Sequence, residues 1–287
     1  MSAKEEIAQL IGGLSDYECG HLLAAFQNVA AGERFWETEI SAVYNEQVKT
    51  RLSQSAAVVP SAPETEAGIF APIPIVKSYA GTERISLPAP EKLDAPIGKL
   101  LLERRSRREY TGGSISATKL ATILHYACGV TGSIPGYGYR KLPLRPFPSS
   151  GGLQAPEVYL SVQAVEGLAP GLYHYHVMDN VLEWMRAGEY GPALSALALQ
   201  QPYLQTASVV FLVSGCFERM RWKYGQRAYK YMCMDAGYLG QNLYLVAEAM
   251  GLGACAIAGF IDDGIEQLLG VDGSNEMILL LTTVGVI

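Results

Sequence analysis

The chain has 287 residues, of which 49% are hydrophobic and 17% are charged, and its formal net charge at pH 7 is −6. This acidic balance argues against a general nucleic-acid-binding protein, because such proteins normally carry an excess of basic residues. The length allows one large hydrophobic core or two smaller ones, and the sparse charge favours burial of surface between subunits.

Cysteine usage and the start of the chain point to the cytoplasm. The five cysteines lie far apart, no two of them have the spacing of metal ligands, and their number is odd. Reduced thiols are therefore expected. The first residues lack the basic and apolar pattern of a secretion signal, and no apolar run approaches the length that spans a bilayer. We therefore predict a cytoplasmic protein.

The first 75 residues are predicted to form a helical segment followed by a proline-rich linker. Apolar residues recur at intervals of three and four between residues 4 and 52, which is the periodicity of amphipathic helices. Residues 53–75 contain four prolines among serines and alanines, which indicates an extended connector. We expect this N-terminal part either to wrap a neighbouring subunit or to dock a partner or leader peptide. Residues 76–287 are predicted to form the main domain.

Two helices and a loop are predicted between residues 95 and 152. One helix begins near Ala95 and runs to a cluster of arginines. Ser116 is a suitable N-cap for the next helix, which carries apolar residues at helical spacing. Residues 129–152 are rich in glycine, proline and tyrosine, and we predict a loop there.

The remainder of the chain mixes strands with helices. Two of the strands follow each other closely enough to form a hairpin, and the long apolar helix ends at Gly251. This mixture predicts an α+β fold in which helices surround one sheet. The predicted strands are 158–162, 171–177, 181–184, 208–213 and 279–284, and the predicted helices are 191–199 and 235–250.

The segment Arg104-Arg105-Ser106-Arg107-Arg108-Glu109-Tyr110 places four guanidinium groups and a hydroxyl in five positions of an acidic protein. Arginine presents a fixed fork of donors that fits phosphate oxygens, and it stays charged at any working pH. Four like charges this close repel one another unless an anion or carboxylates neutralise them. The segment is therefore either an anion site or a solvated basic helix end.

Two glycine-containing segments could let a planar ligand approach the backbone. The segment 148–152, Pro-Ser-Ser-Gly-Gly, combines hydroxyls with glycines, although an ordinary surface turn has the same composition. The segment 251–260 is rich in small residues after a buried helix, which also suits a tightly packed helix-to-strand turn. No Lys-Ser or Lys-Thr follows it, so it is not a phosphate-binding P-loop.

The segment 219–231 interleaves cations with aromatic side chains. It could stack nucleic-acid bases, but the acidic balance argues against this. Lys223 and Tyr224 could transfer protons if burial moves their pKa values towards neutrality. The alternative is an amphipathic segment with cation–π contacts.

His174 and His176 share one face of a predicted strand. Two imidazoles at this spacing can bind a metal, but no carboxylate or cysteine partner is evident in the sequence. We favour structural histidines and predict no metal site.

Taken in order, these segments resemble the nitroreductase-like flavoprotein superfamily, and within it the SagB-type dehydrogenase branch. The flavin subunits of that branch oxidise thiazoline and oxazoline rings in modified peptides. The resemblance covers about residues 70–287. Its motifs are Leu-Pro at 87–88, Arg-Arg-Ser-x-Arg-x-Tyr at 104–110, Pro-Ser-Ser-Gly-Gly at 148–152, Gly-Leu-Tyr-His-Tyr at 171–175, Trp-Lys-Tyr-Gly at 222–225, and Asp-Ala-Gly-Tyr-Leu-Gly-Gln-Asn-Leu-Tyr-Leu at 235–245.

The resemblance implies a nitroreductase-like α+β fold, with a mostly antiparallel central sheet flanked by helices, in an intertwined homodimer that binds FMN at its interface. By motif, Arg104, Ser106 and Arg108 match the groups that hold the FMN phosphate and the pyrimidine edge. Lys223 and Tyr224 match the Lys-Tyr pair linked with azoline oxidation. The other implied flavin contacts are Pro148, Ser149, Ser150, Gly152, Gln241, Ile257, Ala258 and Gly259.

Two departures from the family pattern bear on the flavin site. Superfamily members often place a basic residue near the C-terminus, on the FMN phosphate, and this chain has none there. Arg105, Arg227 or Lys230 would have to serve instead. Ile257 is apolar, and no acidic residue follows Ala258, unlike the pattern of many nitroreductases.

The resemblance implies an FMN-dependent azoline dehydrogenase that acts on a peptide or carrier-bound substrate. One alternative is a reductase of nitro groups or quinones that uses NADH or NADPH. Another is a flavin-binding partner subunit that completes a peptide-modifying complex with a cyclase or synthetase.

Overall fold

The structure is a computed structural model that describes residues 73–287. The helices predicted between residues 4 and 52, and most of the predicted connector, lie outside the described residues. The described helices are α1 (Ile97–Glu103), α2 (Ala117–Cys128), α3 (Gly191–Leu197), α4 (Glu218–Tyr224), α5 (Ala228–Ala249) and α6 (Asp262–Leu269). The described strands are β1 (Arg84–Ser86), β2 (Gly132–Gly136), β3 (Tyr139–Leu144), β4 (Pro156–Val162), β5 (Gly171–His176), β6 (Val181–Ala187), β7 (Val209–Cys216), β8 (Gly253–Ile257) and β9 (Glu276–Gly285).

A seven-stranded sheet forms the centre of the described part, in the order β1-β6-β5-β4-β7-β9-β8. Every neighbouring pair in it is antiparallel. The hairpin predicted from residues 171–184 is the β5–β6 pair, in which Tyr173 faces Trp184. The predicted antiparallel sheet is therefore confirmed.

Side-chain alternation along the central strand β7 divides the core into two layers. Phe211 and its alternate neighbours pack into one cluster with residues of α2 and α5. Leu212 and its alternate neighbour pack into a second cluster with residues of α3 and α6. Successive residues of a strand point to opposite faces, so a buried sheet needs apolar residues at every position. The continuous run Val209–Val213 supplies them.

The helix α2 begins as the sequence predicts, because the Ser116 hydroxyl accepts a hydrogen bond from the Lys119 N–H and caps the first turn. The helix α5 begins seven residues earlier than predicted. Its first turns carry Tyr229 and Lys230 on the exposed side, which interrupts the apolar periodicity that the prediction followed. Gly251, with φ of 68°, lies just beyond its end, as expected.

The loop predicted for residues 129–152 is wrong for residues 132–144. β2 and β3 form a separate two-stranded antiparallel hairpin there. Pro135 and Pro143 concealed it, since proline is confined to edge positions and this ribbon consists only of edges. The hairpin is not part of the main sheet and lies next to Gly151 and Gly152.

His174 has a structural environment. Its Nε2 lies 3.1 Å from a Glu157 oxygen and its Nδ1 lies 2.9 Å from a Glu183 oxygen, and all three side chains are buried. Arg219 is also buried, and its guanidinium forms an ion pair with Glu157. Arg219 is therefore a core cation and no part of a surface stacking segment. Within residues 73–287, no cluster of His, Cys, Asp and Glu is large enough to hold a metal ion.

None of the helices between residues 73 and 287 combines the length and the apolar character needed to cross a bilayer.

Candidate active site

The predicted Lys-Tyr pair and the predicted glycine loop meet in the structure. Lys223 and Tyr224 are the last two residues of α4, and Gly151 lies directly beneath their polar atoms. A methyl group built on Gly151 would overlap the Tyr224 hydroxyl and lie 3.1 Å from Lys223 Nζ. Gly151 also has a φ of 65°, which side chains rarely adopt. Glycine is required at this position by backbone conformation and by space.

Lys223 lies between two tyrosines. Its ammonium donates a hydrogen bond to the Tyr137 hydroxyl and lies 4.5 Å from the centre of the Tyr137 ring and 5.2 Å from that of Tyr224. Burial alone would lower the pKa of Lys223, but the hydrogen bonds and charges of the two tyrosines outweigh burial, and the pKa is raised. The idea that burial brings this lysine towards neutrality is therefore wrong, and Lys223 is an ammonium at neutral pH.

The segment 148–152 is fastened to α5 by one buried carboxylate. Asp235 accepts hydrogen bonds from the Ser149 hydroxyl at 2.9 Å, the Ser150 hydroxyl at 2.9 Å and the Ser150 N–H at 3.0 Å. Burial raises the pKa of Asp235 in spite of these bonds. Both serine hydroxyls thus donate to the protein itself, and the exposed parts of the loop are Pro148 and Gly151.

The arginine segment follows α1 and borders a cavity. This cavity has a volume of about 750 Å³. Its lining residues are Ser106, Arg107, Arg108, Glu109, Tyr110, Thr111 and Ile287, so two cations and one carboxylate border it. The Arg105 guanidinium turns away and donates to the carbonyl oxygens of its own helix end, Leu102 and Arg104. The cavity therefore brings together two of the predicted residues, Ser106 and Arg108, and adds Arg107.

Tyr244 on α5 joins the arginine segment to β8. Its hydroxyl lies 2.8 Å from Ser106 Oγ and accepts a hydrogen bond of 2.7 Å from the Ala256 N–H. The Arg104 guanidinium lies 4.9 Å from the centre of the Tyr244 ring, a cation–π distance. The Arg104 side chain therefore packs on Tyr244 and does not line the cavity.

Strand β8 leads from the arginine segment to the predicted amide positions. Ser106 and Ala254 form a parallel bridge, and the Arg107 N–H donates to the Ala254 carbonyl oxygen at 2.9 Å. The strand ends at Ile257, which is buried, and Ala258 and Gly259 follow it at the surface. About 10 Å of extended strand thus separates a cationic cavity from a pair of exposed small residues.

Arg108 is exposed and lies near Cys255 and Tyr203. Its pKa is raised, first by the nearby Cys255 sulfur and then by the Tyr203 hydroxyl. Burial is the main cause that raises the pKa of Tyr203 to about 12. Arg108 is therefore a cation beside the cavity, which suits a phosphate group.

The two parts of the predicted site lie at different places within one chain. Asp235, which holds the Ser-Ser loop, and Tyr244, which holds the arginine segment, are about 13 Å apart along α5. Gln241 lies between them on the exposed face of that helix. A cleft of about 280 Å³ lies between the β2–β3 hairpin and Gly151. It has no lining residue in common with the cavity at Arg107 and Arg108.

Four residues of the site were missed from the sequence. Arg107 is the unassigned position of the arginine motif, Asp235 and Tyr244 belong to the motif of α5, and Tyr137 falls in the predicted loop. The cluster of four arginines was a signal for Arg107, whereas the contacts of Tyr137 and Tyr244 span 86 and 138 residues and left no local pattern.

Comparison with known proteins identifies the family. The model of the nitroreductase family matches residues 101–286. The chain belongs to the nitroreductase family. A Methanocaldococcus jannaschii protein described as a nitroreductase is 32% identical over 204 residues, 71% of this chain and 96% of that protein. The predicted superfamily is thus confirmed.

Two proteins named for the processing of trifolitoxin and of microcin B17 also occur among the relatives, in agreement with the predicted branch. The trifolitoxin-processing protein TfxB of Rhizobium leguminosarum bv. trifolii is 25% identical over 55% of this chain and 44% of its own length. The microcin B17-processing protein McbC of Escherichia coli is 28% identical over 45% of this chain and 49% of its own. The matches span about half of each of these two proteins.

A solved structure agrees with the fold. The Escherichia coli microcin synthetase McbBCD complex with truncated pro-MccB17 contains a chain that aligns with a TM-score of 0.54 at 20% identity. The alignment covers 86% of this chain and 92% of that chain.

Proposed function

We propose that this nitroreductase-family oxidoreductase is an FMN-dependent dehydrogenase that converts thiazoline or oxazoline rings of a peptide or carrier-bound substrate into thiazoles or oxazoles. The observation that carries the proposal is the convergence of the Lys223 ammonium and the Tyr224 hydroxyl above Gly151. Two relatives are named as trifolitoxin-processing and microcin B17-processing proteins, and these names support a peptide natural product as the substrate.

FMN fits the residues of the arginine cavity. Arg107 and Arg108 provide cations beside a space of about 750 Å³, and Ser106 provides a hydroxyl at its edge. We infer that these three residues hold the phosphate, and that Ile257, Ala258 and Gly259 at the end of β8 face the ring system. When bound, FMN would supply the two-electron acceptor that azoline oxidation needs.

We further infer that the active enzyme is a homodimer in which the two parts of the site come from different chains. Within one chain the cleft at Gly151 and the arginine cavity are separate. The exposed face of α5 between them carries Met234, Tyr238 and Gln241, with apolar side chains that are 43% and 41% exposed. A second copy that covered this face would bring the loop 148–152 to the flavin.

Lys223 and Tyr224 have distinct roles in the proposed reaction. The ring proton next to the azoline carbonyl and imine is acidic, and Tyr224, whose hydroxyl lies above Gly151, is the group that removes it. The raised pKa of Lys223 keeps a positive charge beside the Tyr224 ring. Lys223 therefore acts by electrostatic stabilisation and not as the base.

Oxidation of a thiazoline peptide by purified holoenzyme, followed as a loss of two hydrogens by mass spectrometry, tests the proposal. We expect Lys223→Ala and Tyr224→Phe to lower kcat about 100-fold or more while FMN stays bound. Lys99→Ala, on the exposed side of α1, is the matched control and should retain the wild-type rate. Full activity in both site variants would refute the assignment.

A second candidate is an NADH- or NADPH-dependent reductase of nitro groups or quinones. The relative from Methanocaldococcus jannaschii, at 32% identity, favours it. Rapid bleaching of bound flavin by NADPH under nitrogen, without bleaching by an azoline, would support this alternative.

The third candidate is a subunit that acts only within a complex. The microcin synthetase structure contains its similar chain in an assembly with a peptide bound, so we propose a cyclase or synthetase as partner. Oxidation that appears only after a partner is added would support this role.

We also propose a cytoplasmic setting, which suits the free cysteines among the described residues.

A further inference from the structure

The turn of the β2–β3 hairpin contains an unfavourable backbone conformation. Gly136 pairs with Tyr139, so Tyr137 and Gly138 are the two turn residues, and their φ angles are 50° and 80°. Two-residue hairpins with positive φ at both positions prefer Asn, Asp or Gly at the first. A tyrosine there is strained, and strain of this kind is retained where the side chain has another use.

The Tyr137 side chain is directed at the proposed active site. Its hydroxyl accepts a hydrogen bond from Lys223 Nζ, and its ring lies 4.5 Å from the same ammonium. Trp222, the residue before Lys223, packs against the ring edge-to-face at 5.4 Å. Tyr137 thus contacts the end of α4 through polar, cation–π and aromatic interactions.

The hairpin also forms one wall of a cleft beside Gly151. This cleft of about 280 Å³ is lined by apolar residues of β2 and β3 on one side and by Gly151 and Gly152 on the other. Tyr137 itself belongs to the lining. A ring that occupied the cleft would lie between the hairpin and the two glycines, next to Tyr137.

We propose that Tyr137 is a positioning residue that holds the Lys223 ammonium over Gly151 for catalysis, and that the strained hairpin turn exists to present it. This inference rests on the proposed function for its catalytic consequence. The ordinary alternative is a tyrosine that only anchors the hairpin on Trp222.

The contact with Lys223 can be tested without any turnover. The rate at which acetic anhydride labels a lysine follows its unprotonated fraction, and mass spectrometry reads each site separately. The Tyr137 hydroxyl is one cause of the raised pKa of Lys223. Tyr137→Phe in the FMN-loaded protein should therefore label Lys223 about three- to tenfold faster, with Lys99 as an internal reference. Tyr190→Phe is the matched control, because its hydroxyl bonds the Ala187 carbonyl instead.

The kinetic consequence is tested with Tyr137→Asn, because asparagine suits the turn. We expect this variant to melt at the wild-type temperature or above, while kcat on a thiazoline peptide falls about 10- to 100-fold. The loss in kcat should exceed any change in KM, since the contact with Lys223 acts in the chemical step. A retained kcat would leave Tyr137 as an anchor only and overturn the proposal.

The labelling experiment and the kinetic experiment distinguish a wrong role for Tyr137 from a wrong proposed function. Equal labelling of Lys223 in wild type and Tyr137→Phe overturns the role of Tyr137, whatever the activity. A wild-type holoenzyme that is inactive on azolines overturns the proposed function, and with it the catalytic half of this inference. Faster labelling together with a lower kcat supports both.

Discussion

The Tyr244 hydroxyl accepts a hydrogen bond from the Ala256 N–H at 2.7 Å and lies 2.8 Å from Ser106 Oγ. One side chain of α5 therefore ties the start of the arginine segment to the strand that leads to Ala258 and Gly259. If this cross-link sets the spacing of the flavin site, its loss should weaken FMN binding without unfolding the protein.

Tyr244→Phe is predicted to raise the Kd for FMN about three- to tenfold, since a single hydrogen-bonding hydroxyl is removed and the Ala256 N–H loses its acceptor. Quenching of flavin fluorescence in a titration measures this. Tyr126→Phe on α2 is the control, because its hydroxyl only accepts a long bond of 3.5 Å from Leu93. Equal affinities in all three proteins would show that the cross-link has no part in binding.

Arg108→Ala is predicted to weaken binding of FMN about 10- to 100-fold while binding of riboflavin, which lacks the phosphate, is unchanged. The reason is that the Arg108 cation lines the cavity. Arg84→Ala provides the control, since that guanidinium pairs with Asp179 at the far edge of the sheet. A parallel loss for both ligands would place the phosphate elsewhere.

Gly151→Ala is predicted to abolish azoline oxidation, because the added methyl group would displace the Tyr224 hydroxyl and crowd Lys223. The positive φ also costs about 1–2 kcal/mol of stability in any residue other than glycine. Gly167→Ala separates the two effects, because Gly167 has a φ of 78° with open space around it. We expect both variants to lose similar stability in thermal melts, and only Gly151→Ala to lose activity.

Glu157→Gln is predicted to destabilise the fold by about 3–5 kcal/mol, since it leaves Arg219 as a buried charge without its partner. Burial alone would raise the pKa of Glu157, but Arg219 and His174 outweigh burial and lower it. The pKa of Glu157 in the unfolded chain is 4.5, and the folded protein lowers it. The ionised carboxylate therefore stabilises the fold fully at pH values above 4.5, and this stabilisation is lost progressively as the pH falls below 4.5.

Urea unfolding at pH 7 and at pH 4 measures the cost of Glu157→Gln and the pH dependence of stability. The free energy of unfolding of the wild type should fall between pH 7 and pH 4, and that of Glu157→Gln should fall less. Glu218→Gln removes an exposed pair with Arg221 and should cost less than about 1 kcal/mol. A Glu157→Gln protein as stable as this control would contradict the buried-pair account.

The elements that could be predicted from the sequence are those marked by a local pattern of residues. The run Val209–Val213 and the Ser116 cap gave correct elements, because burial on both faces and N-capping are local rules. The hairpin β2–β3 was missed, since its prolines and glycines match a loop. The start of α5 was missed because tyrosines and lysine on its exposed face hide the helical pattern.

The candidate site could be predicted only where a motif marks it. The pair Lys223–Tyr224 and the loop 148–152 were identified by resemblance, and they meet in space. Their partners were not predictable: Asp235 holds the loop, and Tyr137 holds the lysine, over separations of 85 and 86 residues. Such contacts depend on tertiary packing, which leaves no period in the sequence.

The most direct test of the account is to mix the FMN-loaded protein with one equivalent of a thiazoline peptide under nitrogen and to record the flavin absorbance and the peptide mass together. The account predicts that the yellow colour bleaches as the peptide loses two hydrogens, and that Tyr224→Phe with the same FMN content does neither. A flavin that stays yellow with the azoline, yet bleaches when NADPH is added, would contradict it.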